Sequence, residues 1–190
     1  MPYLMYLHGF NSSEHSFKSR CIYDRLHSLG LSESYLMPRL SWEPDQAIAQ
    51  SSRLIESHLS EGITLIGSSL GGFYAGYLAE KYSINAILVN PAIAAHELLV
   101  DYLGKQVNPY TQEEYQLTAE HIAQLQKMDA PATCEERYWL MLQEGDEVLD
   151  YRKALQKYPD VRLTLEPLGN HSFVNFERHI NTLLTFSNLL

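Results

Sequence analysis

Apolar residues gather in short runs at Tyr3–Leu7, Tyr35–Leu40, Ile63–Ile66, Ala86–Val89, Tyr138–Leu142 and Val161–Leu165. Most of these runs are apolar at nearly every position, which fits strands covered on both faces, as in a parallel sheet. They predict six strands. Between them the spacing becomes helical. Residues 16–29 and 45–59 read as helices, the second carrying Ala47, Ile48, Leu54, Ile55 and Leu59 on one stripe. Phe176, Ile180, Leu183, Leu184 and Ser187 form a similar stripe for a closing helix. Strands alternating with helices predict right-handed crossovers and an open α/β sheet flanked by helices.

The rhythm breaks once. From Pro91 to Arg137 no strand pattern is evident, only helical pieces at Glu97–Leu103 and Thr118–Met128 joined by "NPYTQEEY" and "DAPATCEE". A chain of 190 residues holds one ordinary domain. The stretch is therefore expected to be a small helical cap inserted at about 91–136. An excursion after a strand's C-terminal end lies over the crevice where α/β proteins bind ligands.

At "LIGSSLGGF", residues 65–73, a strand pattern turns into a helical one through three glycines and two serines. Gly67 and Gly72 have the spacing of a phosphate-binding P-loop, but Phe73 and Tyr74 stand where Lys and Ser/Thr are needed. A dinucleotide fingerprint needs glycine at 69, so that the backbone can approach a pyrophosphate, and a serine is there. Gly67-Ser68-Ser69-Leu70-Gly71 fits the third pattern, GxSxG, at every position. Its small residues let the chain turn sharply and leave the central hydroxyl exposed. Ser69 is the candidate nucleophile, and Ser68 a filler that packs or bonds locally.

A serine hydroxyl needs a base within hydrogen-bond reach and a third group to orient that base. Among eight histidines, His171 in "LGNHSF" follows the last predicted strand and precedes the closing helix, where a loop rises over the sheet's C-terminal edge. It is the candidate base. His27, His58 and His179 fall on helices, and His96 and His121 in the insertion. His15 lies in an N-terminal loop, while His8 reads as structural. "QEGDEVLDY" follows the fifth strand, and Asp146 at its turn is the candidate acid, with Asp150 the alternative and a better helix cap. An oxyanion hole would use the backbone N–H of Leu70 and, from the loop "LHGFNSS", that of Phe10. Asn11 and Ser12 in the same loop are candidate substrate-binding residues. The chain order Ser69, Asp146, His171 is that of α/β-hydrolases.

Composition narrows the partners. A formal charge of −9 without clustered Lys or Arg argues against nucleic acid. No apolar run is long enough to span a bilayer, and the N-terminus lacks the basic region of a signal peptide. Cys21 and Cys134 suggest neither a disulfide framework nor a metal site, and fit a reducing cytoplasm.

The segments "YLHGFNSS", "GSSLGG", "VNPA", "ELLVDYLG", "NPYT", "GDEVLDYR" and "GNHSF" resemble the small bacterial YqiA-like esterases of the α/β-hydrolase superfamily, from about residue 3 to the C-terminal helix. The resemblance implies a compact α/β-hydrolase fold lacking the first two strands of the usual eight. It also implies activity on acyl esters or thioesters, with Ser69, Asp146 and His171 as nucleophile, acid and base and Phe10 and Leu70 at the oxyanion hole. Such chemistry needs neither metal nor organic cofactor. The alternatives are a peptidase or amidase with the same three residues, and a hydrolase fold kept as a non-catalytic binding protein.

Overall fold

The computed structural model describes residues 1–190. Six strands form one sheet: β1 (Tyr3–Leu7), β2 (Tyr35–Leu36), β3 (Ile63–Ser68), β4 (Asn85–Val89), β7 (Tyr138–Gln143) and β8 (Arg162–Glu166). A separate pair, β5 (Gly104–Val107) and β6 (Glu114–Leu117), forms an antiparallel hairpin. The order in the main sheet is β2-β1-β3-β4-β7-β8, with every neighbouring pair parallel.

Alternate residues of the central strands feed two cores. Leu4, Tyr6, Ile66, Ile87, Val89 and Met141 pack on one face, against α1 (Phe17–Ser28) and α7 (Ile180–Phe186). Met5, Leu7, Leu65, Leu88 and Leu140 pack on the other, against α2 (Pro44–His58) and α3 (Leu70–Tyr82). A strand buried on both faces has no polar side to show, which explains the continuous apolar runs. Each large aliphatic side chain so buried contributes about 1.5–3 kcal/mol. No helix is long and apolar enough to cross a membrane.

Two expectations need correction. The run Tyr35–Leu40 yields a strand of two residues, because Pro38 lacks an N–H for the ladder and biases Met37 before it. The insertion is not made of helical pieces alone. Its first piece shortens to α4 (Ala95–Leu98) and a 3₁₀ turn (Leu99–Tyr102), the hairpin follows, and α5 (Ala119–Lys127) comes last. Only Tyr115 and Leu117 of the hairpin point into the core, too few for an apolar run.

The strand order places the functional edge. The chain leaves β1 for β2 on one side and crosses back to β3 on the other, so the topological switch point lies between β1 and β3. In open α/β sheets ligands bind outside the C-terminal ends of strands at such a point. Those ends carry His8, Gly9 and Phe10 after β1, and Ser69 after β3.

Candidate active site

Ser69 links β3 to α3 with φ 56° and ψ −120°, a conformation that costs a residue bearing a Cβ roughly 1–3 kcal/mol. Hydrogen bonds on both sides hold it there. Its N–H donates to the Val89 carbonyl at 3.1 Å, and its carbonyl accepts from Gly72 at 2.9 Å and Ala92 at 3.0 Å. The flanking glycines are steric necessities. A Cβ on Gly67 would lie 2.0 Å from the Gly71 oxygen, and one on Gly71 would lie 1.9 Å from the Leu7 oxygen. The turn therefore presses against the end of β1, and Gly9 lies where a Cβ would be 3.3 Å from that of Ser69. Ser68 is buried, beside the Tyr6 hydroxyl.

His171 reaches this turn from the loop after β8. Its Nε2 is 3.1 Å from Ser69 Oγ, and its Nδ1 is 2.8 Å from Asp146 Oδ2. The Asp146 side chain is 2% exposed, and its other oxygen accepts the N–H groups of Val148 at 2.9 Å and Leu149 at 2.8 Å. These two bonds fix the plane of the carboxylate. With Oδ2 accepting from Nδ1–H, the Nε2 lone pair faces Ser69, whose hydroxyl donates. Asp150 lies apart from this chain of bonds. It caps α6 (Tyr151–Lys157) through the Arg152 N–H and pairs with the Arg152 guanidinium.

The Phe10 N–H makes no hydrogen bond within the chain. Leu70 opens α3, where the first N–H groups have no intrahelical acceptor. Both residues border a small apolar hollow that touches Ser69. Asn11 and Ser12 line the larger cleft beside it, yet they also dock the hairpin. Asn11 Oδ1 accepts from the Tyr115 hydroxyl at 2.6 Å, its Nδ2 donates to Gln106 at 3.4 Å, and the Ser12 carbonyl accepts from Asn108 at 2.9 Å. Tyr115 in turn stacks on Trp42, with ring centroids 4.8 Å apart.

The remaining histidines have local partners except His96, whose buried Nδ1 has none. Burial shifts His8 below the usual imidazole range, and its Nε2 accepts from the Leu40 N–H at 3.1 Å, bracing the loop after β1. His15 is well exposed and bonds only within its own loop.

Three residues that support the site escape a reading of the sequence. Asn90, at the end of β4, donates from Nδ2 to the carbonyls of Asn170 and His171, each at 3.1 Å, and accepts the Gln143 N–H at 3.0 Å. Gln143, at the end of β7, accepts the N–H groups of Asn170 at 3.1 Å and Val174 at 2.9 Å. Glu147 accepts the His171 N–H at 3.0 Å, a bond that holds its carboxyl below the usual range. The signal for the first two was a polar residue directly after an apolar strand, in "ILVN" and "LMLQ". Gln143→Leu keeps much of the volume but leaves the Asn170 and Val174 amides without acceptors, so it should destabilise the protein by about 3 kcal/mol. Urea unfolding checks this, and an unchanged midpoint would refute it.

A family model described as the uncharacterised protein family UPF0227 matches residues 3–188. A UPF0227 protein from Pectobacterium atrosepticum is 23% identical over 193 residues, covering 98% of this chain and 99% of that relative. Among solved structures, mouse alpha/beta hydrolase domain-containing protein 10 is 18% identical with a TM-score of 0.72, covering 97% of this chain and 90% of its own. A monoacylglycerol lipase from Paleococcus ferrophilus is 15% identical with a TM-score of 0.66, covering 97% and 95%. The esterase Est1E from Butyrivibrio proteoclasticus, solved with ferulic acid, is 11% identical with a TM-score of 0.66, covering 100% and 90%. By sequence the chain belongs to UPF0227, the YqiA family, and by structure it has the α/β-hydrolase fold.

Proposed function

We propose that the protein is a serine hydrolase that cleaves carboxylic esters or thioesters through an acyl-enzyme. The observation that carries this reading is the unbroken chain of contacts from Asp146 Oδ2 to His171 Nδ1, at 2.8 Å, and from His171 Nε2 to Ser69 Oγ, at 3.1 Å. In the first step His171 takes the hydroxyl proton as Ser69 attacks the carbonyl carbon. The N–H groups of Phe10 and Leu70 receive the oxyanion, and the imidazolium then protonates the departing alcohol or thiol. Water, deprotonated by the same imidazole, releases the acid in the second step. Asp146 holds the tautomer and stabilises the imidazolium.

Support comes also from the surroundings. The apolar hollow of about 220 Å³, walled by Leu98, Leu99, Tyr102, Val148 and Leu149, suits an apolar acyl group. The lipase and esterase among the structural neighbours share the fold on which this chemistry is built. Treatment with a fluorophosphonate, followed by intact-mass analysis and peptide mapping, tests the reading without assuming a substrate. A single adduct on Ser69 is expected, and folded protein that takes up no label would overturn it.

The acid assignment has its own test. Asp146→Asn should lower kcat/KM by about 10⁴-fold, because an amide N–H facing Nδ1 forces the proton onto Nε2, where it confronts the serine. Asp150→Asn removes only part of a helix cap and an exposed ion pair, and should change kcat/KM by less than about 3-fold. Comparable losses from the two substitutions would discredit the assignment.

A further inference from the structure

Two hollows meet at Ser69, and they differ in what lines them. The smaller takes in Phe10 and Leu70 but not His171. The larger, about 650 Å³, takes in His171 and extends over the first turn of α1, where Ser16, Phe17 and Lys18 form its wall. A departing alcohol or thiol must collect its proton from His171, so the leaving group occupies the larger cleft and the acyl group the smaller.

Lys18 is 9% exposed, yet its ammonium makes no hydrogen bond and no ion pair. The stem is buried and the ammonium keeps some contact with solvent, so its charge stands at the cleft without a fixed counter-ion. The acidic groups around it are otherwise placed. Asp146 is engaged by His171 and by two backbone amides, and Glu177, which also lines the cleft, is exposed and forms no ion pair with Lys18. Burial pushes the ammonium down to about 8, which leaves it mostly charged at neutral pH.

The backbone around Lys18 offers the same polarity. The Ser16 side chain bonds to the Tyr6 hydroxyl at 3.0 Å and leaves the helix end uncapped, and no acidic residue lies in the first turn. The first-turn N–H groups of this twelve-residue helix thus lack side-chain and intrahelical acceptors, at the end where the helix dipole favours an anion.

We propose that Lys18 and the first turn of α1 form an anion subsite in the leaving-group half of the cleft. The preferred substrates then join an apolar acyl group to an alcohol or thiol that bears a carboxylate or a phosphate. This assignment rests on the serine-hydrolase reading for its chemistry, though not for the binding of the anion.

The test compares butyrate esters of 3-hydroxybenzoate, 3-hydroxyphenyl phosphate and, as the neutral reference, 3-hydroxybenzamide. At least one anionic ester should exceed the amide ester by about 10-fold in kcat/KM, the effect of one charge-assisted contact, and the better of the two identifies the anion. Lys18→Met should bring that ratio close to one, and Lys18→Arg should retain most of it. Equal turnover of all three esters by the wild type, or a ratio that survives Lys18→Met, would overturn the subsite. Calorimetric binding of the same esters to Ser69→Ala protein, with and without Lys18→Met, separates the two readings. Anionic esters that bind about 10-fold more tightly only when Lys18 is present support the subsite even if the wild type hydrolyses none of them. Binding indifferent to Lys18 refutes it even if Ser69 is labelled and active.

Discussion

Ser69→Ala is expected to lower ester turnover by about 10⁴-fold or more while leaving the melting temperature close to that of the parent. The first half follows from the proposed mechanism, in which Ser69 Oγ forms the acyl bond, since what survives such a deletion is the contribution of the oxyanion donors and of binding. The second half follows from the contacts. The hydroxyl's hydrogen bond is to His171, and the strained backbone at φ 56° is held by main-chain bonds to Val89, Gly72 and Ala92 that alanine keeps. Adding His171→Ala to Ser69→Ala should cost little more, because residues that act as one unit are not additive. Ser68→Ala serves as the control, since that side chain borders the same cleft but is buried beside Tyr6 and has no hydrogen bond to His171. Ester hydrolysis rates and thermal melts check all three. Near-normal turnover in the Ser69 variant would remove the serine from the mechanism.

Gly71→Ala should be among the most destabilising single substitutions in the chain, costing about 4 kcal/mol or preventing folding altogether. The added Cβ would lie 1.9 Å from the Leu7 oxygen and 2.7 Å from the His8 oxygen, and both are main-chain atoms. β1 cannot retreat, because it is hydrogen-bonded to β2 on one side and to β3 on the other. The helix cannot retreat either without dragging Ser69 from His171. Gly30 and Gly104 give the contrast, since a Cβ at either meets open space. Their φ values of 72° and 110° make alanine strained there, so about 1 kcal/mol is the expected cost. Urea midpoints would rank the three variants, and a Gly71 variant as stable as the other two would show that the turn yields more than the close contacts allow.

Much of this architecture was legible one residue at a time. Six runs marked the six strands of the sheet; the central four are almost wholly apolar because they are covered on both faces, whereas Leu163 and Leu165 of the edge strand β8 are exposed. The GxSxG spacing marked the turn, because both glycines stand where a Cβ would strike backbone. Asp146 and His171 each follow an apolar strand, and a residue at a strand's C-terminal end in a parallel sheet faces the crevice. The hairpin Gly104–Leu117 was not legible, since two short strands with two buried side chains leave hardly any pattern, and pairing in register is a long-range event.

Local chemistry along the chain thus determined the strands, the sharp turn at Ser69 and the residue types that a hydroxyl needs beside it. Tertiary structure alone decided which carboxylate of "GDEVLD" meets the imidazole and that the carboxamides of Asn90 and Gln143 suspend the His171 loop. It also decided that Asn11 is occupied by the hairpin and that Lys18 stands unpaired in the cleft. The physical reason is common to all of these. Periodicity and steric demand act between neighbours in sequence, whereas an ion pair, a hydrogen bond or its absence depends on which distant segments the folded sheet brings within about 3 Å of each other.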